Sequence, residues 1–174
     1  MNLEKLYKMQ DELDQHILEN ARKRNIEMSK AELLDKTILA LLVEVGELAN
    51  ATRCFKHWST KGPESKERLL DELADIWHFY LSIGNQIGLR LENDDSVPDE
   101  HPNNLVDCFI SVYYWVNKFE DCTSSLEKRT FVAHTELGRW LAILAHKLGF
   151  TDKEVEQAYM KKHEENYRRQ REGY

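Results

Sequence analysis

A chain of 174 residues with a formal net charge of −7 carries no global basic footprint, which argues against nucleic acid as a partner. No apolar run approaches the roughly 18 residues that a membrane helix needs, and the charged start Met1–Gln10 does not read as a signal peptide, so a membrane role is not expected either. With only 7 Gly and 3 Pro, and with Leu, Glu and Lys abundant, the composition favours an all-α protein, one domain over residues 1–174. The three cysteines, Cys54, Cys108 and Cys122, are odd in number and lack zinc spacing, and they read as reduced thiols of a cytoplasmic protein.

The first predicted helix, about Asn2 to Arg24, carries Leu3, Leu6, Met9, Leu13 and Ile17 on one face. Gln10 and Asp14 stand one turn apart beside that face, either as a polar pair for a ligand or as ordinary surface residues. Ser29 with Glu32 three residues later is a capping box and opens the second helix. That helix has an apolar stripe of Leu34, Ile38, Leu41, Leu42, Val45, Leu48, Ala49 and Thr52, and runs into Lys56-His57-Trp58-Ser59 before a Gly62-Pro63 break. A cation, an imidazole and an indole there suit a ligand with phosphates and a flat ring, or else complement the helix dipole and pack a tryptophan. The third helix is expected from Pro63 or Glu64 to about Arg90, with Leu69, Ile76, Phe79, Tyr80, Ile83 and Ile87 inward.

Glu92 to Asn104 is polar and holds two prolines, which makes it a loop crossing a bundle. A fourth helix, about Asn103 to Glu120, shows Leu105, Phe109, Val112, Tyr113 and Val116. A fifth, about Ser125 to Leu148, shows Phe131, Leu137, Leu141 and Leu144 and stops at Gly149. Thr151 and Glu154 form a second capping box that opens the sixth helix. On it Lys162, Asn166 and Arg169 share one face, as a grip for phosphates and a polar edge or simply as an exposed basic tail.

The second and third helices carry two acidic pairs, Glu44-x-x-Glu47 and Glu72-x-x-Asp75. A spacing of three places both acids of a pair on one helical face, roughly 5–6 Å apart at Cβ. Glu44 and Glu47 border their apolar stripe beside Ala40 and Ala51, and Asp75 lies at the edge of the third helix's stripe. Glu72 projects into the middle of that stripe, where a carboxylate is costly unless it is paired or bound to metal. Solvated acids on a highly charged chain explain single pairs; they do not explain Glu72. Two facing helices would bring four carboxylates to one point, and a hard divalent cation relieves their repulsion.

Taken together these residues resemble the all-α nucleotide pyrophosphatase superfamily, the MazG-like enzymes, and within it the dimeric dUTPases of the compact type found in phages and Gram-positive bacteria. The resemblance rests on the acidic signature, on Gln10-Asp11-Glu12-Leu13-Asp14, on Lys56-His57-Trp58, on Asp75-Ile76-Trp77-His78-Phe79 and on the ending Lys162-x-x-x-Asn166-x-x-Arg169-Gln170-x-x-Gly173-Tyr174. It implies a six-helix bundle that forms a homodimer and hydrolyses dUTP, with dUDP as a further candidate, to dUMP and pyrophosphate by attack on the β-phosphorus. Glu44, Glu47, Glu72 and Asp75 would hold more than one Mg²⁺, for which Mn²⁺ can substitute, and Glu47 would help deprotonate the attacking water. Gln10, Asp14, Trp58 and Asn166 would line the uracil and deoxyribose pocket, with His57 and His78 also at the substrate. Lys56, Lys162 and Arg169 would meet the phosphates. Two positions depart from the pattern: Asp14 stands where an Asn can occur, and His163 where an Asn can follow the lysine. The competing readings are a pyrophosphatase without tight uracil selection, a di-metal carboxylate bundle of another kind, and a non-catalytic helical interaction protein. A di-iron bundle wants two Glu-x-x-His motifs, and only Asp75-x-x-His78 approximates one.

Overall fold

The computed structural model describes residues 1–91, 104–123 and 127–173, with backbone alone for 119–123 and 127–128. Over these residues the chain forms α1 (Leu3–Lys23), α2 (Lys30–Thr52), α3 (Lys66–Ile87), α4 (Leu105–Thr123), α5 (Glu127–Lys147) and α6 (Asp152–Glu172). The architecture is all-α, as the composition implies. Both capping boxes form: Ser29 and Thr151 accept from the backbone of Glu32 and Glu154, whose carboxylates accept in return from the cap backbone N–H. Asn2 and Ser65 cap α1 and α3, and the Asn104 Oδ1 accepts from the Asp107 N–H at 2.9 Å ahead of α4. Each such cap contributes about 1 kcal/mol.

One helix ends earlier than its pattern suggests. α2 stops at Thr52 and does not continue into Lys56–Ser59. Arg53 adopts a left-handed conformation (φ 59°) and sends its N–H back to the Ala49 and Asn50 carbonyls. Its guanidinium then donates to Ser59 Oγ at 2.6 Å and to the Lys61 carbonyl at 3.3 Å, which ties down the turns that follow. Lys56-His57-Trp58 therefore lies on a bridging segment, and α3 begins only after Ser65. The expected 92–104 loop falls almost wholly outside the described residues, as do the expected starts of the fourth and fifth helices at Asn103 and Ser125, the Cys122 side chain and Tyr174.

α2 and α3 form an antiparallel hairpin. At one end the Glu64 N–H meets the Ala51 carbonyl at 3.0 Å, and at the other the Gln86 amide meets Thr37 Oγ1 at 2.9 Å. That register sets Glu44 and Glu47 opposite Glu72 and Asp75. α3 is the hub and packs against α1, α2, α5 and α6; α4 pairs with α5 and leans on α2. α1 runs antiparallel to α3, with Asn85 Nδ2 donating to the Tyr7 carbonyl and His78 meeting Gln10. Leu41, Val45, Leu48, Leu73, Ile76, Leu81, Val112, Val116, Leu137, Leu141 and Leu144 share one core. Each buried aliphatic chain is worth about 1.5–3 kcal/mol.

Gly84 is one point where the hub is approached closely. A Cβ there would stand 2.6 Å from the Leu89 carbonyl oxygen and 2.8 Å from the Tyr7 ring. Phe131 departs from its expected place in the core and is 51% exposed. At 100° per residue it sits about 120° off the stripe of Leu137, Leu141 and Leu144, so the helix turns it outward.

Candidate active site

The α2–α3 hairpin gathers Glu44, Glu72 and Asp75 so that one carboxylate oxygen of each lies within 4.8 Å of the others. Glu72 is 2% exposed, in keeping with its position on the apolar stripe. Glu47 stands at the rim, with its side chain about half in solvent and 3.8 Å from Arg68. Burial, then repulsion from Asp75, Glu47 and Glu72, pushes the Glu44 carboxyl up to about 7. Burial likewise raises Glu72 against the pull of Arg68, and raises Asp75 against the pull of Lys162. All three are driven toward neutrality by burial first and then by neighbouring acids.

Two side-chain cations partly relieve this strain. Arg68, one turn before Glu72 on α3, forms an ion pair with it and reaches Asp71 at 3.6 Å. Lys162 of α6, only 9% exposed along its side chain, bonds Asp75 at 2.5 Å and Asp71 at 3.1 Å. Burial disfavours the Lys162 charge, but Asp75 and Asp71 more than offset that and raise its pKa. Arg68 and Asp71 were not singled out from the sequence, although the spacing of four between Arg68 and Glu72 on one helix is a readable signal.

A cleft of about 440 Å³ opens from the acids along α3. Its walls are Gln10, Leu13, Asp14, Ile17 and Leu18 of α1, Leu33, Thr37 and Glu44 of α2, Asp75, His78, Phe79, Ser82 and Gln86 of α3, and Asn166, Arg169 and Gln170 of α6. The volume is that of a small-molecule site, with apolar side chains from α1, α2 and α3 interspersed with polar groups. Asp75, Phe79, Ser82 and Gln86 follow one another along α3, and the helical rise puts Gln86 about 16 Å from Asp75. An elongated molecule with an anionic end at the acids and a flat ring near Ser82 and Gln86 matches that run.

The polar wall is organised around Gln10, which is 4% exposed. Its Nε2 donates to Asp14 Oδ1 at 2.7 Å, and its Oε1 accepts from the Tyr159 hydroxyl at 2.9 Å and meets His78 Nδ1 at 2.7 Å. Gln10 thus has its acceptor capacity filled and one N–H to spare. His78 stacks on Tyr159 at 4.1 Å, and burial, with His163 adding, pushes its pKa down to about 3, so it is a neutral imidazole that supports Gln10. Burial raises the Asp14 carboxyl to about 6, with Ser82 and Gln10 pulling the other way, and Asp14 Oδ2 has no hydrogen-bond partner.

The structure brings Gln10, Asp14, His78, Asn166 and Arg169 to one cleft, with Glu44 and Asp75 at its end. Lys162 faces the acids instead, and Arg169 also borders a second, shallower groove with Lys161, Arg168 and Arg171. Lys56, His57 and Trp58 are not among the cleft's walls. Lys56 bonds Asn50, His57 lies edge-on to Trp58 at 4.9 Å, and Trp58 is 67% exposed. Among the described residues no helix is long and apolar enough to cross a membrane.

A sequence model of the family described as dUTPase matches residues 2–174, nearly the whole chain. The chain belongs to the dUTPase family. Membership makes it a hydrolase, a dUTP diphosphatase, of a kind that is typically metal-dependent, and a carboxylate cluster is present in its fold. No curated protein matches the chain.

Proposed function

We propose that this protein converts dUTP to dUMP and pyrophosphate on Mg²⁺ held by Glu44, Glu72 and Asp75, with Glu47 completing the set from the rim, and that more than one ion binds, with Mn²⁺ able to replace Mg²⁺. The observation that carries this reading is the convergence of three carboxylates within 4.8 Å at the end of a nucleotide-length cleft. Their raised pKa values and all-oxygen donor set fit a hard divalent cation. Bound there, the ions supply Lewis-acid polarisation of the phosphoryl oxygens and a more acidic attacking water.

The chain's own residues do the rest. Glu47, the most solvated of the four acids, takes the proton of the attacking water. Lys162 and Arg169 give charge-assisted hydrogen bonds to the phosphates. Gln10 and His78 hold Asp14 in place, and Phe79 with the apolar wall seats the base against α3. Asn166 meets the sugar or the base edge. Lys56, His57 and Trp58 close over the substrate from the segment after α2.

The protein works as a homodimer in this reading. Leu39 and Val43 on α2, and Ile110 and Tyr114 on α4, are each at least half exposed, and these two helices pack together. Exposed apolar residues at helical spacing on neighbouring helices are what a second copy would cover. All four acids of one site then come from one chain.

Turnover of the four deoxynucleoside triphosphates with Mg²⁺ tests the proposal. Strong preference for dUTP over dCTP and dTTP is expected, and comparable turnover of all four would leave only a broad pyrophosphatase.

A further inference from the structure

Gln86 lies at the far end of the cleft from the acids and belongs to none of the motifs described above. Its Nε2 donates to Thr37 Oγ1 at 2.9 Å and to Ser82 Oγ at 3.2 Å, which uses both amide hydrogens. The Thr37 hydroxyl spends its own hydrogen on the Leu33 carbonyl at 2.7 Å, so toward Gln86 its oxygen can only accept. The amide is therefore oriented by its neighbours, with its nitrogen toward Thr37 and Ser82 and its oxygen away from both. That oxygen, Oε1, is all but closed to solvent and has no hydrogen-bond partner. A buried acceptor left in this state is costly, and a ligand that brings a donor removes the cost.

We propose that Gln86 is a base-reading residue: its amide, held in one orientation by Thr37 and Ser82, accepts the N3–H of uracil and cannot turn to serve cytosine. The inference rests on the dUTPase reading of this cleft. Uracil carries a hydrogen on N3, whereas cytosine carries a lone pair there. A freely rotating glutamine would serve both bases, offering oxygen to one and nitrogen to the other. Here the turn gives up the hydrogen bond to Thr37 and sets two acceptors against each other there, unless Thr37 is pulled off the Leu33 carbonyl. Cytosine then sets lone pair against lone pair in a site closed to water, the kind of mismatch that buried polar readers reject strongly. Thymine shares the N3–H, so this device does not distinguish it from uracil.

The test is to measure kcat/KM for dUTP, dCTP and dTTP with the wild type and with Thr37→Val, Ser82→Ala and Gln86→Leu, after helix content and Mg²⁺ binding have been checked for each. Thr37→Val keeps the shape of the side chain and releases the amide. Its dCTP turnover should rise roughly tenfold, as expected for removing one buried hydrogen-bond conflict, with the dUTP-to-dTTP ratio unchanged. Ser82→Ala should act in the same direction, and Gln86→Leu should lower dUTP turnover while losing the discrimination against dCTP. A wild type that prefers dUTP and variants that keep its full dUTP-to-dCTP ratio would overturn the role of Gln86 and leave the enzyme's function standing. A wild type with no preference for dUTP would instead defeat the reading of the cleft, and this inference with it.

Discussion

Replacing Glu44 by glutamine should stabilise the metal-free protein and weaken its response to Mg²⁺. Among the described residues no ion pair holds Glu44, and its carboxyl is lifted from an ordinary 4.5 to about 7, first by burial and then by the neighbouring acids. At about 1.4 kcal/mol per pH unit, ionising it in the fold is about 3 kcal/mol harder than in the unfolded chain. Glu44 keeps some solvent contact, which screens the repulsion, so about 1–2 kcal/mol is the working figure. The sign follows from the direction of the shift. A carboxyl with a raised folded pKa destabilises wherever it is forced to ionise, so the penalty is full above pH 7 and fades to nothing as pH falls below 4.5. In excess chelator, Glu44→Gln should therefore melt about 4 °C above the wild type at pH 8 and level with it near pH 4. With Mg²⁺ the order should reverse, because the wild type gains binding free energy that the variant has lost. Scanning calorimetry in EDTA and in Mg²⁺, across pH 4 to 8, checks this. A Glu44→Gln variant that is less stable without metal, or shifted equally at every pH, would refute the account of the acids as mutually repelling.

Glu72→Gln should retain less than about a tenth of wild-type turnover, on the order expected when a metal-binding carboxylate is lost, with far-UV circular dichroism unchanged. Gly84→Ala should cost about 3 kcal/mol, read as a lower urea midpoint, because the new Cβ would meet a backbone carbonyl at 2.6 Å that cannot move aside like a side chain. Leu39→Glu with Ile110→Glu should convert a dimer to a monomer by light scattering at micromolar concentration; a wild type that is already monomeric and fully active would refute the dimer.

The parts of the fold that were legible in the sequence are those written in local chemistry. Ser29 with Glu32 and Thr151 with Glu154 announce helix starts because the capping box is a contact between near neighbours. Glu72 announces itself because a charge on an apolar stripe conflicts with its own surroundings. Where the sequence misled, the deciding contact was not local. Nothing in Arg53 signals a left-handed residue; what ends α2 there is completed by Ser59 and Lys61 further along. Gln10 reads from the sequence as half of a polar pair for a ligand or as a surface residue, and only the packing of α3 and α6 shows that it is buried, with His78 and Tyr159 on its oxygen. Gln86 carries no signal of its own in the sequence, because a glutamine near a helix end is unremarkable until Thr37, far back in the chain, fixes which way its amide points.

The cleft is built from two kinds of sequence neighbourhood. The acids sit on consecutive helices of one hairpin, while part of the wall that would judge the nucleotide comes from α1 and α6, more than 140 positions apart. Substrate choice thus has two genetic addresses, one on the hairpin beside the acids and one at the two ends of the chain. A lineage can redraw its substrate through changes at Asp14 or Asn166 without disturbing the acids, and drift in the acids cannot be repaired by any change in the walls. Among relatives that diverge in the nucleotide they accept, variation should concentrate on the first and last helices and at Thr37, Ser82 and Gln86, and spare the acids.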